Sequence, residues 1–232
     1  MKLHILRDPK IKYADMEEVE RQFIDLMYEH ADITPTFTHE DKDYETYPKE
    51  RDSDGDDHLP YSYLKEAAAG VYKKRGMTTD YVVLWIHRDN WELNGIWGTA
   101  YANKFEGYQV LVCRFDSRNL ANSLGTLYHE VMHPFDTFIK TYTGVDINSL
   151  GKWTSWDKTI VHGGRPDQVG KYPWTYIRHK ENTDALAYIA PQLREAFKKR
   201  HALYTQKTLI SVLERIVVAY RALINSKSTV TK

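Results

Sequence analysis

The stretch YQVLVCRFDSRNLANSLGTLYHEVMHPFD, residues 108–136, changes its hydrophobic period halfway along. From Tyr108 to Phe115 it is apolar and β-rich, the signature of a strand. From Ser117 to about His133, Leu120, Leu124, Leu127 and Val131 recur at helical spacing in one narrow stripe. His129 and His133 lie on roughly the opposite side, which Asn122, Gly125 and Thr126 keep small or polar. The pattern predicts a helix that buries one face against a sheet and opens the other onto a cleft. Pro134 should end or kink that helix near His133, because its ring clashes with the carbonyl four residues back.

His129, Glu130 and His133 match H-E-x-x-H. Four residues of α-helix turn roughly 400°, so the two histidines stack one turn apart on one face. Both imidazoles can then reach a single zinc ion at ~2.0–2.1 Å. Glu130 is rotated ~100° from His129, which sets its carboxylate beside the ion rather than on it. From there it can hydrogen-bond a water held by the metal.

The surrounding chain supplies strands before this helix and helices after it. LHIL near the N-terminus suggests a short strand, and Met16, Val19, Phe23 and Leu26 a helix with Asp15 as its N-cap. Residues 37–59 are acidic and rich in turn formers, which predicts a long mobile loop. Pro60 suits the first turn of a helix over PYSYLKEAAAGVYKKRG, and Gly76 the position after its end. Strands are predicted at Tyr81–His87, Ile96–Ala102 and Tyr108–Phe115, pairing as neighbours. Residues 141–178 read as loop-rich. Helices follow to the end, with a break or kink near Pro191 and an apolar stripe through Leu209, Val212, Leu213, Ile216, Val217, Tyr220 and Leu223. The expected class is α+β, a single unit over 1–232 with an N-terminal lobe to about 135 and a helical C-terminal lobe over about 136–232.

Composition narrows the function classes. The 232 residues carry 32 Lys+Arg against 32 Asp+Glu, so no net charge points to nucleic acid or an anionic membrane as the main partner. Lys198, Lys199, Arg200 and His201 form a local basic run, read as a solvated helix face. Cys113 is the one cysteine, so no intrachain disulfide can form, and its apolar neighbours mark it as a small buried hydrophobe. MKLHILRDPKIKY shows neither a signal peptide nor a membrane span, and the expected location is cytoplasmic.

Together, GIWGTAYA, QVLVCRF and LYHEVMH resemble the zincin superfamily of zinc metallopeptidases over about Tyr81–His133, with a weaker likeness near residues 176–190. The resemblance implies a small mixed or antiparallel sheet packed on the motif helix, with an edge strand that binds peptide. It also implies one catalytic Zn2+ on His129, His133 and a third ligand, with Glu130 as general base. PFDTFI after His133 lacks the glycine and third histidine of metzincins, so an aspzincin- or gluzincin-like arrangement is expected instead. There the third ligand is a carboxylate on a later helix. Asp184, with Ala187 three residues on and Tyr188 four on, is the first candidate, and Glu181 the alternative. His162, His179 and Asp136 are further candidates. Zincins often stabilise the oxyanion with a later Tyr or His, which points to Tyr176 and then His179.

The implied activity is zinc-dependent hydrolysis of a peptide or protein substrate. Alternatives are a catalytically silent zincin-fold binding protein, an effector-type protease with one target, or a helical interaction protein built on the C-terminal stripe. Trp97–Tyr101 would be the substrate-pairing edge strand, its glycine allowing close backbone approach. Arg165, in the HGGRPDQVG loop, could meet a substrate carboxylate. Asp52, Asp54 and Asp56 alternate as in a Ca2+ loop, but Asp57 and Tyr63 stand where an EF-hand needs Gly and Glu, so calcium is disfavoured.

Overall fold

The computed structural model describes residues 1–147 and 180–228 except Asp54, residues 76–78, Gly95, Trp97 and residues 106–107. For Arg75, residues 102–105, Tyr108, Asp136, residues 180–185 and residues 221–228 it describes the backbone alone.

The chain alternates strands and helices: β1 Lys2–Arg7, α1 Tyr13–Ala31, β2 Thr36–Asp41, β3 Glu50–Arg51, β4 Asp57–His58, α2 Tyr61–Arg75 and β5 Tyr81–His87 come first. Then follow β6 Gly98–Phe105, β7 Tyr108–Phe115, α3 Leu120–Met132, α4 Phe135–Thr143 and α5 Lys180–Ser228. Five strands make a mixed sheet in the order β2-β1-β5-β7-β6. The first four run parallel, and β6 lies antiparallel to β7 at the edge. The class is mixed α and β with a helical C-terminal region, as expected.

Both faces of the sheet are covered, which explains why β5 and β7 are continuous apolar runs rather than alternating ones. On one face Ile5, Val83, Trp85, Leu111 and Cys113 pack with α1, α3, α4 and the first part of α5. On the other, Leu6, Val82, Leu84, Val110 and Val112 pack with Leu64, Ala68 and Val71 of α2. The strand period of two sends successive residues to opposite layers. Each large side chain so buried contributes roughly 1.5–3 kcal/mol.

Four expectations are corrected. Residues 37–59 are not one loop: they hold most of β2 and the β3–β4 hairpin, and Tyr44 and Leu59 are fully buried. The acidic residues hid a strand, because parallel pairing of Thr36–Asp41 with β1 outweighs their low β-propensity. Asp15 is not the N-cap of α1: the helix begins two residues earlier, Lys12 takes that position, and Asp15 falls in the first turn. The basic run near residue 200 is not wholly solvated, since Arg200 is 1% exposed. It continues the buried stripe of Leu186, Ile189, Leu193, Ala196 and Phe197, and its guanidinium donates to the buried Asp80 carboxylate and to the Thr79 carbonyl.

Finally, α5 runs through Pro191 without a break. The proline and Ala187, whose carbonyl loses its helical partner, both lie on the exposed side, where water can satisfy that carbonyl. By contrast Pro134 acts as expected, because α3 stops at Met132 and α4 begins at Phe135 with Pro134 at its N-cap. The strand over residues 96–102 is displaced slightly to Gly98–Phe105, and Gly76 lies outside the described residues. Among the described residues no helix is long and apolar enough to cross a membrane.

Candidate metal centre

The motif helix α3 follows β7 directly and packs back on β7 and β6. Leu124, Leu127 and Val131 are buried as the stripe requires. The opposite side is less open than the sequence suggests. Gly125, Thr126 and Tyr128 are buried too, and Asn122, His129 and His133 are only partly exposed. The two imidazoles therefore keep only partial access.

His129 and His133 turn toward each other, their rings 4.7 Å apart between centroids and nearly perpendicular. Their Nε2 atoms are separated by 3.1 Å. Nitrogens that close can both reach one ion at ~2.0–2.1 Å. With a Glu130 carboxylate oxygen they form the one group of His, Cys, Asp or Glu ligand atoms among the described residues that could hold a metal, all within 4.8 Å of one another.

Glu130 is drier than its sequence position implied. It is 4% exposed, and its Oε2 has no hydrogen-bond partner among the described residues. Burial pushes its carboxyl up to about 8. The carboxylate lies against Gly98, the first residue of β6. A Cβ built there would stand 2.6 Å from Glu130 Oε1 and 2.9 Å from its Cδ. This glycine is where the sequence does signal a close approach, but the neighbour that needs the space is the motif glutamate. Gly98 pairs with Cys113 across β6–β7. Cys113 is fully buried, as expected, and burial raises its thiol well above the ordinary range.

The donor set could hold a metal ion. Two imidazole nitrogens converge, and beside them lies a buried carboxylate oxygen with no hydrogen-bond partner among the described residues. The rest of the expected site is not brought into view. Tyr176, His179, His162 and Arg165 lie outside the described residues, as does Trp97 of the expected edge strand. Glu181 and Asp184 fall in the first turns of α5, and Asp136 in the first turn of α4, with backbone alone described. The aspartates expected as a weak Ca2+ loop are placed in part. Asp52 caps its own turn by accepting from the Asp56 N–H at 3.0 Å, Asp57 pairs with Arg51 and Asn94, and Asp54 lies outside the described residues.

Comparison with protein-family models, with curated proteins and with solved structures finds no match to this chain.

Proposed function

We propose that the protein is a zinc-dependent metallopeptidase of zincin type, with Glu130 as general base. The observation that carries this reading is the convergence of the His129 and His133 Nε2 atoms at 3.1 Å beside a buried carboxylate with an unsatisfied oxygen. A zinc ion bound there would supply Lewis acidity to activate water and polarise a substrate carbonyl. His129 and His133 would hold the ion, with Asp184 as the third ligand and Glu181 as the alternative.

Glu130 accepts a proton from the attacking water at its carboxylate and returns it to the leaving amine. Its dry setting suits this task, because burial raises the proton affinity of the carboxylate. Strand β6, last in the sheet order, is the candidate partner for an extended peptide, antiparallel to its neighbour and beginning at the glycine under Glu130. Tyr176, then His179, are the candidate oxyanion donors.

Metal analysis of the purified chain should give about one zinc per molecule. Glu130→Gln should keep that zinc and lower hydrolysis of a peptide mixture by roughly 10²–10⁴-fold. His129→Ala should lose both. Of Asp184→Ala and Glu181→Ala, only one should release the metal. A chain that binds no zinc, or a Glu130→Gln variant as active as the parent, ends this reading.

A further inference from the structure

The end of β2 and helix α2 border a cavity of about 340 Å³, a volume within the range of small-molecule sites. It lies on the sheet face away from α3. Its floor residues Leu6 and Val71 belong to one core layer, whereas Leu124, Leu127 and Val131 of α3 belong to the other. Helix α2 builds one wall: Tyr63, Ala67, Gly70 and Lys74 are spaced by four, three and four residues, so they share one side. Glu40 of β2 lines the opposite wall, because its register with Leu6 puts it on the same sheet face.

Two features of the cavity serve nothing within the described residues. The first is Gly70. A glycine inside a helix weakens it relative to alanine, since more backbone freedom must be lost and no side chain packs. A Cβ at Gly70 would meet nothing within 4 Å, so no described neighbour needs the space. The result is open room against bare backbone in the middle of the wall. The second feature is the charge pattern. Lys74 pairs with Glu40 at 2.5 Å, and Arg7 with Asp41 at 2.6 Å. Lys42 and Glu66 also line the cavity, but among the described residues neither has an ion-pair partner. Lys42 is half-buried, and its Nζ lies 5.0 Å from the centroid of the Tyr63 ring and 6.0 Å from that of Tyr44. Glu66 acts on the same tyrosine. Burial, with Tyr47, Asp43 and Glu66 adding to it, pushes the Tyr63 hydroxyl up to about 12, so it keeps a proton to donate. A cation, an anion and a hydroxyl donor thus gather around Tyr63, and a small apolar bed of Leu6, Ala67, Gly70 and Val71 adjoins them.

We propose that this cavity binds a free α-amino acid with an aliphatic side chain. Lys42 and the Tyr63 hydroxyl donate to its carboxylate, and Glu66 accepts from its ammonium. The side chain lies across Gly70 toward Leu6 and Val71. An α-amino acid carries its two charges on one carbon, which suits a cation and an anion flanking one tyrosine.

Isothermal titration calorimetry of the full chain with L-valine, L-leucine and L-methionine tests this. At least one should bind, and equally well in EDTA, because the cavity is independent of the candidate metal centre. Analogues of the best binder that lack the ammonium or the carboxylate should bind roughly tenfold more weakly or worse. For L-leucine these are 4-methylpentanoate and 3-methylbutylamine. Lys42→Met and Glu66→Gln should each weaken binding by a similar factor. Gly70→Leu fills the cavity and should abolish binding, while circular dichroism shows the helices retained. No binding of any of the three amino acids up to about 10 mM overturns the proposal. So does undiminished binding in Lys42→Met, Glu66→Gln or Gly70→Leu. Inorganic phosphate that binds through Lys42 without any contribution from Glu66 would also overturn it, assigning the cavity to a simple anion.

Discussion

The motif helix α3 and the outer stretch of α5 are both apolar helices, and their fates differ. In α3, Ser123–Tyr128 is buried without interruption, and beyond its exposed first turn only the two histidines keep partial access. In α5 beyond Tyr204, the same kind of side chain faces outward on every turn. Periodicity marks the surface that wants cover, whereas the supply of cover depends on what the rest of the chain brings alongside. For α3 that cover is the sheet and α1, and it also dries Glu130 enough to change its chemistry. For the outer part of α5, residues 205–220, the described structure places no cover.

The boundary between the two regimes is a buried ion pair, and breaking it should have the largest effect. Asp80 is 1% exposed, as is Arg200, and Asp80 also accepts from the Lys2 N–H at 2.7 Å and from His201 at 3.2 Å. Asp80→Ala leaves Arg200 buried without its charge partner, which should cost about 3–5 kcal/mol in urea unfolding. A loss below about 1 kcal/mol would mean that α5 is held by its apolar contacts alone.

Next in size is a direct contrast between the helices. Leu127→Ala, at a fully buried site of α3, should cost about 2–5 kcal/mol. Leu213→Ala, measured on dilute protein, should change stability by no more than about 0.5 kcal/mol. Similar losses at both sites would show that the outer stretch is covered within one chain.

Acid sharpens the same boundary. Burial alone would raise the Asp80 carboxyl, but the His201 hydrogen bond and the Arg200 charge hold it below the ordinary value. A lowered folded-state pKa gives stability that is present above the unfolded value of ~3.9 and lost as pH falls through the folded value. Unfolding free energies followed from pH 5 downward should decline in the parent and decline less steeply in Asp80→Asn.

A modest stability change is expected at the candidate site. In Gly98→Ala the new methyl would meet Glu130 Oε1 at 2.6 Å, so the carboxylate must swing aside. Overpacking of this kind costs about 1 kcal/mol. Zinc content should be unchanged, while peptide hydrolysis should fall at least tenfold. Full activity would show that the carboxylate's place over β6 does not matter.

Much of this molecule could be read without coordinates. Tyr81–His87 and Tyr108–Phe115 announced themselves as strands because a sheet covered on both faces demands unbroken apolar runs. The His129–His133 pair was legible because helical geometry alone stacks residues four apart. What stayed hidden depended on partners distant in sequence. Thr36–Asp41 is a strand because β1 lies beside it, and Arg200 is buried because Asp80, 120 residues earlier, neutralises it. Local pattern sets which face of an element is apolar and which side chains share it. Only the assembled fold decides which groups lose their water, and desolvation is what raises the Glu130 carboxyl and leaves its Oε2 without a partner among the described residues.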